Sequence, residues 1–153
     1  MTRDEAYKLM EEMIKSPNLR KHGLAVEAIM KALCKYLKEI EIATSPRSVD
    51  MNVAPRNDDY NEEEWGIVGL LHDADYELVE KDPDRHTLVT EEKLRPLGVS
   101  ERIINAIKAH HDGIKQSRDN SLERAIYAAD ELSGLITAVT LVRPEKKLSG
   151  VTV

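Results

Sequence analysis

Residues 65–73 read WGIVGLLHD. From Trp65 to Leu71 the run offers no polar side chain, so a helix built from it is apolar almost all round. Such a helix belongs at the centre of a helical bundle. Asn61 followed by Glu64 is a capping-box pattern that starts it. Its far end delivers two residues of a different kind, His72 and Asp73.

Upstream, residues 42–60 (IATSPRSVDMNVAPRNDDY) lose helical periodicity and carry Pro46 and Pro55. A mobile loop or insertion is expected there, either a lid or a tolerated surface excursion. Before it, Thr2 and Glu5 form another capping box, predicting a helix from Arg3 to Lys15 that Ser16-Pro17-Asn18 stops. Asn18 is read as the cap of a second helix, on which Leu19, His22, Val26, Ile29, Leu33 and Leu37 recur at helical spacing. His22 therefore lies on an apolar face.

Downstream, DADYELVEKDPDRH (73–86) is rich in turn residues. A short helix is expected from Leu88 to Leu94, ending near Pro96 and Gly98. Ser100 caps the next, which carries Ile103, Ile104 and Ile107 to His110 and His111 and stops at Gly113. Asn120 and Glu123 cap a last long helix whose face is Leu122, Ile126, Ala129, Ser133 and Ile136, with Asp130 beside them. No β-pattern and no internal repeat is present. The expected fold is all-α, a compact helical bundle with residues 1–153 as one domain.

Composition agrees. Aromatic residues make up 4% of the chain and Phe is absent, so the core must be aliphatic, which favours helix over sheet. The net charge is −6, and Lys and Arg are dispersed, which argues against a nucleic-acid polymer as partner. Cys34 is the single cysteine and reads as a core residue in a reducing compartment. The N-terminal MTRDEAYKLMEEMIK has no apolar run of signal length, and no stretch reads as a membrane span. The chain is expected to be cytoplasmic, with no membrane partner. A homo-oligomer is compatible with it.

Asp73 and Asp130 face inward with no Lys or Arg on the same helical faces, and an unpaired buried carboxylate costs several kcal/mol. A divalent metal is the economical partner. His22, His72, Asp73 and Asp130 would hold it, tying three helices together. Imidazole and carboxylate donors without thiolate suit Mn²⁺, Fe²⁺, Co²⁺, Ni²⁺ or Mg²⁺ rather than a structural zinc.

His22, then His72-Asp73 after GIVGLL, then Asp130 in AIYAADEL, resembles the H…HD…D signature of the HD-domain metal-dependent phosphohydrolase superfamily. The likeness runs from about Asn18 to Pro144. It implies a helical HD domain that hydrolyses phosphate esters of nucleotides or related small molecules, with a metal-activated water as nucleophile. His86, after PDR, and His110-His111, closing AIKAHH, resemble the extra histidines of members that hold a second ion. Of the two neighbours His110 is preferred on helix phase. Asp75 and Glu77 would orient the water or accept its proton. Arg20, Lys21 and Lys108 flank the ligands and would bind phosphate oxygens, solvated surface charge being the alternative for each. Asp112 borders a glycine stop and is read as solvent-facing. Ala74, Asp75 and Tyr76 stand where the HD-IGK type has Ile, Gly and Lys, so no lysine role is carried over. Related chains are expected to continue in helix past Pro144, leaving this C-terminal end incomplete. The alternatives are a di-iron oxygenase on the same scaffold and a non-catalytic metal-binding sensor.

Overall fold

A computed structural model describes residues 1–44, 60–79, 82–114 and 117–151. Among these residues the chain is all-α: α1 (Arg3–Met13), α2 (Pro17–Thr44), α3 (Glu62–Leu71), α4 (Leu88–Leu94), α5 (Glu101–Ala109) and α6 (Ser121–Val142). The helix α3 is the hub, packing on α2 above all and also on α1, α5 and α6. Every residue from Trp65 to Leu71 is buried, as its composition requires. The surrounding core is aliphatic and sulfur-rich: Met10, Ile14, Met30, Ile104, Ile107, Leu122 and Ile126 are all closed off from solvent. Cys34 belongs to it.

Helix ends follow the caps with some changes. Thr2 and Glu5 exchange hydrogen bonds, as do Asn120 and Glu123. The Asn61 side chain accepts from the backbone N–H groups of Glu63 and Glu64, but Glu64 does not reciprocate; it faces Arg102 instead. The first helix stops at Met13 rather than Lys15. Pro17 is the first residue of α2, where its missing N–H costs nothing. The cap is then Ser16, whose hydroxyl accepts from Leu19 N, and not Asn18. The second helix runs on to Thr44, past the expected loop start at Ile42. The rest of that expected loop, apart from Tyr60, lies outside the described residues.

Two glycines let α2 and α3 touch backbone to backbone. A Cβ on Gly69 would stand 2.8 Å from the Val26 carbonyl oxygen, and one on Gly23 would stand 3.0 Å from that of Leu70. This close crossing brings His22, next to Gly23, level with His72, one turn beyond Gly69.

The last helix divides in two. Its first half is anchored through Leu122, Ile126, Ala129 and Ser133, while Leu135, Leu141 and Val142 are exposed. By length and composition α6, at 22 residues, is apolar enough to cross a membrane, which corrects the reading that no stretch is. Its buried half nevertheless carries Asp130 into a polar cluster.

Candidate metal centre

His72 is the C-cap of α3, and its Nδ1 donates to the Gly69 carbonyl at 2.8 Å. Its Nε2 points to His22 Nε2, 3.1 Å away. From α6, Asp130 Oδ1 lies 3.1 Å from His22 Nε2 and 3.6 Å from His72 Nε2. Asp73 Oδ2 stands 3.6 Å from both nitrogens. The other oxygen of Asp73 serves a second group: Oδ1 is 3.2 Å from His86 Nε2 and 3.4 Å from His110 Nε2, and those nitrogens are 3.0 Å apart. One carboxylate thus faces two donor sets, one oxygen to each.

The tautomers decide what these sets can hold. His110 Nδ1 donates to Ile107 O, and His86 Nδ1 donates to Asp75. The Ser133 hydroxyl gives its proton to the Asp130 carbonyl, so at its contact with His22 Nδ1 it accepts. All four imidazoles are therefore held as Nδ1–H forms with Nε2 lone pairs converging. Converging lone pairs repel unless a cation or an extra proton lies between them. Two nitrogens each about 2.1 Å from one ion, at right angles, would lie about 3.0 Å apart. The spacings and the nitrogen–oxygen chemistry both fit divalent metal, with His22, His72, Asp130 and one oxygen of Asp73 around one position, and His86, His110 and the other oxygen around the next.

The model of the HD domain family matches residues 19–135, which include all six donors. The chain is an HD-domain protein. Its family belongs to a superfamily of metal-dependent hydrolases. Compared with curated proteins and with solved structures, the chain matches none.

Without ions, protons take up the charge of the HD-domain centre. Burial opposes a charge on His86, but the carboxylates of Asp73 and Asp75 outweigh it and push its pKa from 6.5 up to about 9. Burial likewise disfavours ionised Asp73, yet His72, His110 and His86 hold it far below the usual carboxylate range. Because the folded His86 binds its proton more tightly than an unfolded histidine, it stabilises the metal-free fold fully below about pH 6.5, and that contribution is lost as pH rises through about 9. Chelated protein should therefore melt at lower temperature at pH 9 than at pH 6.5, through this group. Saturating Mn²⁺, which displaces the proton, should remove the decline. Thermal melts across that range check both halves.

Beside the donors lies a cavity of about 440 Å³, walled by Tyr76, His111, Asp112, Tyr127 and Glu131 among others. His111 belongs to this wall and not to either donor set, so His110 alone of the pair supplies a donor. Asp112 is exposed, as read, and pairs with Arg118, whose guanidinium stacks 3.7 Å over the Tyr127 ring.

The structure places the other expected residues outside the cavity lining. Asp75 is fully buried behind His86 and does not line the cavity. Glu77 is spent on the α1–α2 turn, where its carboxylate accepts from Lys15 N and Ser16 N at 2.6 and 3.0 Å. Arg20 closes the same turn by donating to the carbonyls of Ile14 and Glu11. Lys108 is paired with Glu91 at 2.8 Å, and Lys21 is exposed and outside the cavity lining. None of the three cations lines the pocket: Arg20 and Lys108 are held by other partners, and Lys21 is exposed. Ser133 and the Gly69 carbonyl went unread as supports. Each sits three residues from a donor, one helical turn along, and that spacing is the signal that could have found them.

Proposed function

We propose that this HD-domain protein is a two-metal phosphohydrolase acting on phosphate esters of small molecules, nucleotides and their relatives being the class to test first. The observation that carries the reading is Asp73, whose two oxygens divide between two donor sets. A pair of divalent ions supplies positive charge for the attacking and leaving oxygens and lowers the pKa of a bound water.

The chain's own residues supply the rest. Among the described residues no Lys or Arg lines the cavity, so the centre itself must meet the phosphate charge. Tyr76 packs edge-on against His86 at 5.9 Å and Tyr127 stands in the wall, giving the organic part of an ester two aromatic surfaces. The volume of about 440 Å³ suits a small substrate rather than a polymer.

Purified protein should carry metal and release phosphate from members of a phosphomonoester and phosphodiester panel with Mn²⁺, Co²⁺, Ni²⁺ or Mg²⁺, and chelation should abolish the release. Metal binding without turnover of any ester would favour the sensor reading. Oxygen consumption with iron and no phosphate release would replace hydrolysis by oxygenation.

A further inference from the structure

The two halves of the centre are supported differently. His72 and His110 are oriented by carbonyls of their own helices, three residues back, and His22 by the Ser133 hydroxyl. His86 lies on no α-helix, following a short 3-10 turn at Pro83–Arg85. Nothing in its own local backbone fixes its ring.

What fixes it is Asp75, only two residues beyond the bridging Asp73. One oxygen accepts from His86 Nδ1 at 2.7 Å and from Thr87 N at 3.1 Å, and the other accepts from Thr90 N at 2.9 Å. The carboxylate therefore does for α4 what an N-cap side chain does, from a distant part of the chain. Thr87, which holds the N-cap position, does not cap: it sits at φ 69°, and its hydroxyl has no hydrogen-bond partner. A β-branched residue in the left-handed region is a true outlier, and such outliers persist where the surroundings over-determine them. Here the unusual backbone immediately follows His86, whose Nε2 lies 3.0 Å from that of His110.

We propose that Asp75 is a positioning residue for the second ion: acting through His86, it sets the affinity of the His86–His110 half while leaving the His22–His72–Asp130 half untouched. This rests on the metal reading of the centre, not on which reaction it performs. A partner behind a metal-binding histidine fixes its tautomer and raises its basicity, and losing one typically costs about 10- to 100-fold in metal affinity.

The test is Mn²⁺ titration of the full chain, followed by calorimetry and by electron paramagnetic resonance, which distinguishes a lone ion from a spin-coupled pair. Wild type should take up two ions per chain and give the coupled signal. Asp75→Asn should keep the first affinity, weaken the second about 10- to 100-fold and lose the coupling at stoichiometric metal. Two ions held with unchanged affinity would overturn the proposal. Equal weakening of both positions, with a lower melting temperature of the metal-free protein, would reduce Asp75 to a helix cap. Wild type that never takes a second ion would sink the two-metal reading itself. If Asp75→Asn does not fold, imidazole nitrogen NMR on Zn²⁺-loaded wild type decides instead. His86 protonated at Nδ1 supports the proposal, and His86 protonated at Nε2 overturns it.

Discussion

Asp73→Ala is expected to remove phosphate release almost entirely, by roughly a thousandfold or more, and to leave the protein unable to retain either ion. Among the described residues no other side chain serves both donor sets, since Asp73 Oδ2 faces His22 and His72 while Oδ1 faces His86 and His110. Removing it takes one anionic donor from each position at once and leaves four convergent imidazoles short of a counter-charge. Asp112→Ala is the informative comparison, because His111-Asp112 repeats the same dipeptide. Asp112 is exposed and engaged with Arg118 and Tyr127, so its loss should leave both ions bound. Elemental analysis of the two variants, purified without chelator, separates them; equal loss of metal would mean that the wrong pair was assigned.

The second large effect is on stability. His72 is completely buried, and its donor set joins α2, the end of α3 and α6. An ion bound only by the folded state stabilises by about 4 kcal/mol when present at a thousand times its Kd. For a domain of this size that is roughly 8–16 °C in Tm. His72→Ala should forfeit the whole metal-dependent rise, whereas His86→Ala should keep the larger part of it and lose turnover instead. Melts with and without added Mn²⁺ read the difference. Full activity of His86→Ala at saturating metal would leave a single-ion mechanism in its place.

The residues that were legible in the sequence are those whose neighbours are periodic. The apolar run before His72 predicts a buried helix, and a histidine at its end has to face the interior. His22 and Asp130 interrupt apolar faces of long helices, so helix phase alone points them inward, and in the structure they meet His72 and Asp73. The capping boxes at Thr2 and Asn120 are local hydrogen-bond patterns and survive folding unchanged.

The connection after Asp73 has no period, and there the reading failed. Nothing in the string Asp-Ala-Asp-Tyr-Glu tells that Asp75 turns back toward Thr90 while Glu77 reaches the backbone at Lys15. Both depend on where a turn sends alternate side chains, which tertiary contacts decide. Arg20 and Lys108 misled for a related reason. Each stands two residues from a donor in sequence, which puts it about 200° away around a helix axis, enough to turn it from the pocket.

The first donor set has a kinetic consequence. Its members come from residues 22, 72 and 130, and the contact between His22 and Ser133 spans 111 positions of chain. Such a contact forms only after the intervening loops have closed, late in assembly. Until α6 has docked against α2 there is no complete set of donors, so an ion has little to grip in the unfolded chain or in a partly formed bundle. Interactions absent from the folding transition state leave the folding rate nearly unchanged and slow the reverse step. A bound ion therefore acts as a latch on the finished bundle, lengthening the lifetime of the native state without hastening its formation.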